Sequence, residues 1–95
     1  MSFLVILRPA REQMPFEPTP EEGRIVDEHY EYLVHMRDEG KLVVAGPSVV
    51  PGDTIGIGVL SVDDELEARA IVAADPAVSS GVMTAEIRPM RIAVR

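Results

Sequence analysis

The sequence has no cysteine among its 95 residues. This excludes disulfides and thiolate metal sites, and it is typical of a cytoplasmic protein. No apolar run approaches the roughly 20 residues that a membrane span requires. The apolar segment near the N-terminus ends at Arg8 and Pro9 and has no basic residues before it. We therefore interpret it as a strand, not as a signal peptide.

Basic residues are also scarce. The chain has 9 Lys and Arg against 16 Asp and Glu, which gives a formal net charge of −7. Nucleic acids and anionic membrane surfaces bind basic patches, so this balance argues against both as partners. We interpret the acidity as a contribution to solubility.

The length predicts one domain over residues 1–95. A continuous apolar run over residues 3–7 predicts a first strand that is apolar on both faces. The three prolines of segment 9–19 predict a loop. An irregular segment of that length inside a small domain is typical of a functional or a disordered loop.

A helix is predicted after this loop. Thr19 is a good N-cap, Pro20 suits the first helical position, and Glu22 completes a capping box. Gly40 is a natural stop for the helix. The apolar positions at spacings of three and four predict a stripe of Val26, Tyr30, Leu33 and Arg37, with Ile25 and Met36 beside it.

Two strands are predicted next. The first covers residues 42–45 and is interrupted by Gly46-Pro47. The second covers residues 54–60, where Gly56 and Gly58 share one face and leave it without side chains. The last strand is predicted from Val82 to the C-terminus, with Pro89 at a bulge or an edge position.

A second helix is predicted between these strands. Asp63 or Ser61 is the expected N-cap, and Asp75-Pro76 ends the helix. Its apolar stripe is predicted to be Leu66, Ala70, Ala73 and Ala74. The resulting order βαββαβ predicts an α+β, ferredoxin-like fold, with an antiparallel four-stranded sheet and two helices on one face.

Two helices cover only one face of such a sheet. Since the first strand is apolar on both faces, the second face is expected to bury against another surface, and a second copy of the chain is the commonest solution. The alternative is a different partner chain or a fused domain. We therefore expect a homodimer.

Two residues are candidates for chemistry. His29 is predicted at the border of the apolar face of the first helix, where it can reach a pocket. Asp75 ends the second helix, where the partial negative charge of the last carbonyls disfavours a carboxylate, so a compensating contact such as a histidine is expected. The alternatives are a half-exposed histidine and a simple Asp-Pro turn. His35 points about 120° away from His29 and is predicted to face solvent.

A family resemblance joins these two residues. The series His29, Leu33, Gly40, Leu42 and Gly46-Pro47 resembles the first signature of YciI-like (YCII-related) proteins. Asp75-Pro76 followed by Gly81-Val82 resembles the second signature.

The resemblance implies a dimeric α+β barrel with an active site centred on His29 and Asp75. Apart from the resemblance, Arg8, Gly46, Pro47 and Gly58 are the candidate substrate-binding residues. Arg8 could hold an anionic substrate, although a scattered surface arginine is the default, and the face at Gly58 leaves room either for a ligand or for another backbone element. Neither a metal nor another cofactor is expected.

The family's reactions are largely unassigned, and some members and structural relatives process small aromatic-derived or lactone substrates by elimination or isomerisation. The resemblance therefore implies a small-molecule enzyme of the lyase or isomerase type, in which the pair transfers a proton; it leaves the substrate open. The alternative is a non-catalytic module for metabolite binding or assembly. Ala77 and Met90 make this alternative credible, because they stand where the family often has aromatic residues.

Overall fold

The computed structural model describes residues 1–95. Its elements in chain order are β1 (Ser2–Pro9), α1 (Pro20–Asp38), β2 (Leu42–Ser48), β3 (Ile55–Ser61), α2 (Glu65–Ala74), α3 (Pro76–Ser79) and β4 (Met83–Met90). The strands form one antiparallel sheet in the order β2-β3-β1-β4. The predicted ferredoxin-like α+β arrangement is therefore confirmed.

The helices pack on one face of the sheet. Alternate residues of β1, namely Phe3, Val5 and Leu7, are buried, and they form one core cluster with Met36 of α1 and Val72 of α2. The intervening residues of β1 lie on the opposite face, which we call the outer face. None of the helices is long and apolar enough to cross a bilayer.

The ends of α1 follow the prediction. The Thr19 hydroxyl accepts a hydrogen bond from the Glu22 N–H, and the Glu22 carboxylate accepts one from the Thr19 N–H. Gly40 follows the C-cap with a φ of 77°, a left-handed conformation that glycine adopts without strain. Local capping chemistry therefore determined both ends of this helix.

The predicted apolar stripe of α2 was wrong in phase, and that of α1 was right only in part, since Leu33 packs against the core. On α1 the buried residues are Ile25 and Met36, whereas Tyr30 is exposed. On α2 they are Ala68 and Val72, and Leu66 is 79% exposed. Apolar residues lie on several sides of both helices, so the spacing alone did not identify the side that meets the sheet.

Three boundaries also differ from the prediction. β2 continues through Gly46-Pro47, because β2 is an edge strand, where a missing N–H is tolerated. The N-cap of α2 is Asp64, whose carboxylate accepts the Glu67 N–H. β4 ends at Met90 and does not reach the C-terminus; it is an edge strand, so Pro89 does occupy an edge position.

Candidate active site

The structure brings His29 and Asp75 together. Nδ1 of His29 lies 2.7 Å and 2.8 Å from the two carboxylate oxygens of Asp75. An ionised carboxylate only accepts hydrogen bonds, so the proton of the neutral imidazole lies on Nδ1 and the free lone pair on Nε2. Nε2 makes no hydrogen bond within the chain, and the chain has no buried, unpartnered side-chain nitrogen or oxygen. Nε2 is therefore accessible from outside the fold.

Asp75 lies at the junction of two helices. It is the C-cap of α2 and the N-cap of α3, a helix of one turn that the sequence analysis did not predict. One carboxylate oxygen accepts the Ala77 N–H at 2.9 Å. Asp75 is only 4% exposed and is the one buried polar or charged residue of the chain. Ala77 and His29 therefore supply the contacts that its position at the end of α2 requires.

His29 lies on the buried face of α1, one turn after Ile25 and two turns before Met36. The prediction had placed it at the border of that face, because the predicted stripe included Tyr30, which is exposed. His35 faces solvent as predicted and pairs with Glu39 at 3.1 Å. The packing of α1 against α3 aims His29 at Asp75, whereas His35 has no access to it.

A cavity of about 690 Å³ extends between α1 and the sheet, and both His29 and Asp75 line it. A ligand site of this kind typically occupies 300–1,000 Å³. Gly56 and Gly58 pair with Leu7 and Val5 of β1, so they lie on the same face as these two residues. The predicted glycine face therefore forms part of the floor of the cavity.

The segment between β1 and α1 forms one wall. Met14 is 3% exposed, and it lines the cavity together with Phe16. The Arg11 guanidinium donates to both carboxylate oxygens of Glu22, at 2.6 Å and 3.0 Å. This contact and the Thr19 N–H lower the pKa of Glu22 to about 2. The loop is thus tied to the first turn of α1.

The candidate substrate-binding residues divide into two groups. Gly46, Pro47 and Gly58 lie along the cavity. Arg8 lies on the outer face of the sheet, where its guanidinium pairs with Glu86 at 2.9 Å. Arg8 follows the alternation of β1 and points away from His29, because a strand turns successive side chains to opposite faces.

Sequence reasoning missed three side chains of the cavity wall: Met14, Phe16 and Tyr32. The first two lie in an irregular loop without periodicity. Tyr32 comes three residues after His29, so the two side chains lie on one face of the helix. This spacing was the sequence signal that could have identified Tyr32. Within the chain, no three His, Cys, Asp or Glu side chains lie close enough together to hold a metal ion.

Comparisons with known proteins agree with this architecture. The structure is similar to that of 5-chloro-2-hydroxyhydroquinone dehydrochlorinase from Burkholderia phenoliruptrix, solved in complex with 2,5-dihydroxybenzoquinone. The TM-score is 0.69 at 16% sequence identity, over 96% of this chain and 94% of that chain. At this identity the similarity concerns the fold alone. No curated protein sequence matches the chain.

The family assignment has a separate basis in the sequence. A family model described as the YCII-related domain matches residues 1–91, which is nearly the whole chain and includes both candidate residues. The chain belongs to the YCII-related domain family.

Proposed function

We propose that this protein is a small-molecule enzyme in which His29 transfers a proton to or from a bound substrate. Asp75 orients the imidazole of His29. The observation that carries the proposal is the contact of Nδ1 with both oxygens of a buried carboxylate, at the wall of a large cavity. A carboxylate in this position fixes the imidazole tautomer and stabilises the imidazolium that forms when Nε2 takes a proton.

The proposed chemistry is an elimination or an isomerisation. In an elimination, Nε2 removes a substrate proton, the electron pair forms a double bond, and the leaving group departs as an anion. In an isomerisation, the same proton returns to a different carbon atom. A positioned base contributes about 10²–10⁴-fold to such a step. The solved dehydrochlorinase of similar fold supports the first type of reaction, since its name describes a loss of HCl.

We also propose that the working unit is a homodimer formed through the outer face of the sheet. On this face Leu4 and Ile6 of β1 lie beside Val59 and Ile57 of β3. Ile57 is 40% exposed in the single chain. An antiparallel sheet that left this face in water would carry polar residues at these positions.

The function can be tested with two probe compounds. Chloride release from 5-chloro-2-hydroxyhydroquinone reports elimination, and the double-bond shift of α-angelica lactone, followed by NMR in D₂O, reports isomerisation. We expect the wild-type protein to exceed His29→Gln by about 10²–10⁴-fold on at least one probe. The Gln amide can still donate to Asp75, so this variant keeps the buried carboxylate paired. Equal rates for the two proteins on both probes would favour the non-catalytic binding module.

A further inference from the structure

The polar groups of the cavity indicate what kind of ligand it accepts. Its charged lining residues are His29, Asp75 and Arg37. The first two are bonded to each other, and Arg37 is an exposed residue whose guanidinium pairs with Asp38 at 3.0 Å. Thr54 also lines the cavity, and its hydroxyl donates to the Val50 carbonyl at 3.0 Å. The interior therefore offers no free cation to a carboxylate or a phosphate.

Most of the lining is apolar. The floor is formed by alternate β1 residues and the glycines of β3, and Met14 and Phe16 belong to the wall. The cavity is open to solvent on one side, since the lining residues Phe16 and Tyr30 are 51% and 69% exposed. A ligand with an apolar body would remove this apolar lining from water, which is favourable.

We propose that the ligand is an uncharged compound with an apolar, ring-sized body and one weakly acidic proton, and that organic anions are excluded. The acidic proton would lie at Nε2 of His29, the nitrogen of this ring that has no partner in the chain. A bound anion would lie near the Asp75 carboxylate without a compensating charge, which is costly in an apolar site. This inference deepens the proposed function, but it concerns binding and does not depend on turnover.

A matched pair of fluorescent probes tests the proposal. 2-Naphthol is neutral at pH 7 and carries one weakly acidic hydroxyl, whereas 2-naphthoate has the same ring system and a negative charge. We expect 2-naphthol to bind at least about tenfold more tightly, which corresponds to 1.4 kcal/mol. Equal affinities, tighter binding of 2-naphthoate, or no binding of 2-naphthol at millimolar concentration would each overturn the proposal.

Gly58→Ala locates the binding. A Cβ at this position would lie 3.7 Å from its nearest neighbours, an ordinary contact distance, so the variant is expected to fold. The added methyl group occupies cavity space and should weaken 2-naphthol binding several-fold. Gly23→Ala is the control, since its Cβ meets nothing within 4 Å and Gly23 is not part of the lining. Unchanged affinity in Gly58→Ala would place the probe outside this cavity and contradict the inference.

The wild-type titration and the two probe reactions together separate the two proposals. If the wild-type protein prefers 2-naphthol while neither probe reaction depends on His29, the ligand class holds and the proton-transfer function fails. If the wild-type protein shows no preference although catalysis depends on His29, the function holds and the ligand class fails. His29→Gln removes the acceptor Nε2 and should weaken 2-naphthol binding; unchanged binding would contradict the placement of the acidic proton at His29.

A second inference concerns Tyr32 and rests on a different contact. The Tyr32 hydroxyl donates to the Ile71 carbonyl at 2.6 Å. The usual helical partner of that carbonyl would be the Asp75 N–H, which is instead bonded to the Val72 carbonyl at 3.2 Å. Tyr32 therefore satisfies a carbonyl that the end of α2 leaves open.

This contact parallels the one between His29 and Asp75. Tyr32 lies three residues after His29 on α1, and Ile71 lies four residues before Asp75, so two adjacent hydrogen bonds join α1 to the end of α2. Burial raises the pKa of Tyr32, and the nearby Asp75 carboxylate raises it further. The phenol therefore stays neutral and remains a donor at neutral pH.

We infer that Tyr32 is a positioning residue, which holds the last turn of α2 so that Asp75 keeps both oxygens on His29. Tyr32→Phe removes one oxygen atom and keeps the ring. We expect the exchange of the His29 Nδ1 proton, observed by NMR with ¹⁵N-labelled histidine, to accelerate by up to about tenfold, which is the size of one neutral hydrogen bond.

Two controls separate positioning from stability. Tyr30→Phe changes a tyrosine that is 69% exposed and should leave the exchange unchanged. Val62→Ala removes core volume close to the N-terminus of α2, far from Asp75 at its C-terminus. It should therefore lower Tm without accelerating the exchange of the His29 Nδ1 proton. A lower Tm in Tyr32→Phe with wild-type exchange at His29 would reduce Tyr32 to a simple helix cap.

Discussion

Asp75 holds three groups at once: the ring of His29, the N–H of Ala77, and the junction between α2 and α3. A carboxylate that is both buried and shared in this way is sensitive to the loss of either partner. Removal of one hydrogen-bond partner of a buried group typically costs about 1–3 kcal/mol, and more when that group is a carboxylate. The residue pair is therefore a structural element as well as a candidate site.

We expect His29→Ala to lose about 1–3 kcal/mol of the free energy of unfolding, measured with urea at pH 7, because the buried Asp75 carboxylate loses a hydrogen-bond donor. The double variant His29→Ala/Asp75→Ala should be less destabilised than the sum of the two single variants, because no unpaired carboxylate remains. Additive losses would show that the pair does not interact in solution.

Asp75→Asn tests the orientation of the imidazole. The Asn side chain can still accept the Ala77 N–H, so the start of α3 is preserved. Its amide can donate as well as accept, so it no longer requires the proton on Nδ1. We expect ¹⁵N shifts of His29 to change from one dominant tautomer to a mixture, with any activity lowered. A single unchanged tautomer would contradict the role given to Asp75.

At the scale of whole elements, the ion pair between Arg11 and Glu22 makes the attachment of the segment between β1 and α1 sensitive to pH. The pKa of Glu22 is lowered from 4.5 to about 2, chiefly by Arg11 and then by the Thr19 N–H. A carboxylate whose pKa is lower in the folded state stabilises that state at every pH above its pKa in the unfolded chain. This stabilisation is lost as the pH falls through the pKa of the folded state.

We expect Glu22→Gln to be less stable than wild type at pH 7. The difference should shrink as the pH falls from 4.5 towards 2, where the carboxylate of the wild type takes up its proton. Urea titrations of both proteins across this range measure it. The opposite trend, or a difference that does not vary with pH, would exclude the ion pair as its cause.

Element types were predictable from the sequence because each has a local cause. The capping box of α1, Gly40 after it, and the alternation of β3 all act within a few residues. The phase of the two helices was not predictable, because apolar residues such as Tyr30 and Leu66 occupy their solvent sides. Only the tertiary packing decides which side meets the sheet.

The candidate pair was predictable to a similar extent. The family signatures pointed to His29 and Asp75, but nothing local showed that α1 and the end of α2 meet there. The cavity wall from Met14 to Phe16 was not predictable, since an irregular loop has no period. These contacts lie between residues far apart in sequence, where local patterns carry no information.

The phase of α2 can be checked by mutation. Val72→Ala removes buried carbon atoms from the core cluster and should cost about 1.5–3 kcal/mol. Leu66→Ala removes more carbon from an exposed position and should change stability by less than about 0.5 kcal/mol. Thermal unfolding of the two variants measures the contrast. A larger loss for Leu66→Ala would restore the stripe expected from the spacing.

For the molecule as a whole, the outer face of the sheet divides into two halves. On the β4 side Glu86 bonds to Arg8 and Arg88, which forms a charged strip. Towards β2 the face is apolar. A bulge between Leu42 and Val44 places Leu42 opposite Leu60, on the helix face, and Val44 opposite Val59, on the outer face.

This apolar half gives the last prediction. Val44 is 60% exposed in the single chain, and we expect a second copy to cover it in solution. Sedimentation at micromolar concentration should show a dimer. Ile57→Lys, which places a charge among the outer apolar residues, should give a folded monomer, because an unpaired charge in such an interface is costly while the same lysine on an exposed face is tolerated. Asp53→Lys in the β2–β3 turn changes the charge by two units, against one for Ile57→Lys, but it lies away from the face and should remain dimeric. A wild-type protein that is folded but monomeric would leave the outer face to a different partner chain or a fused domain.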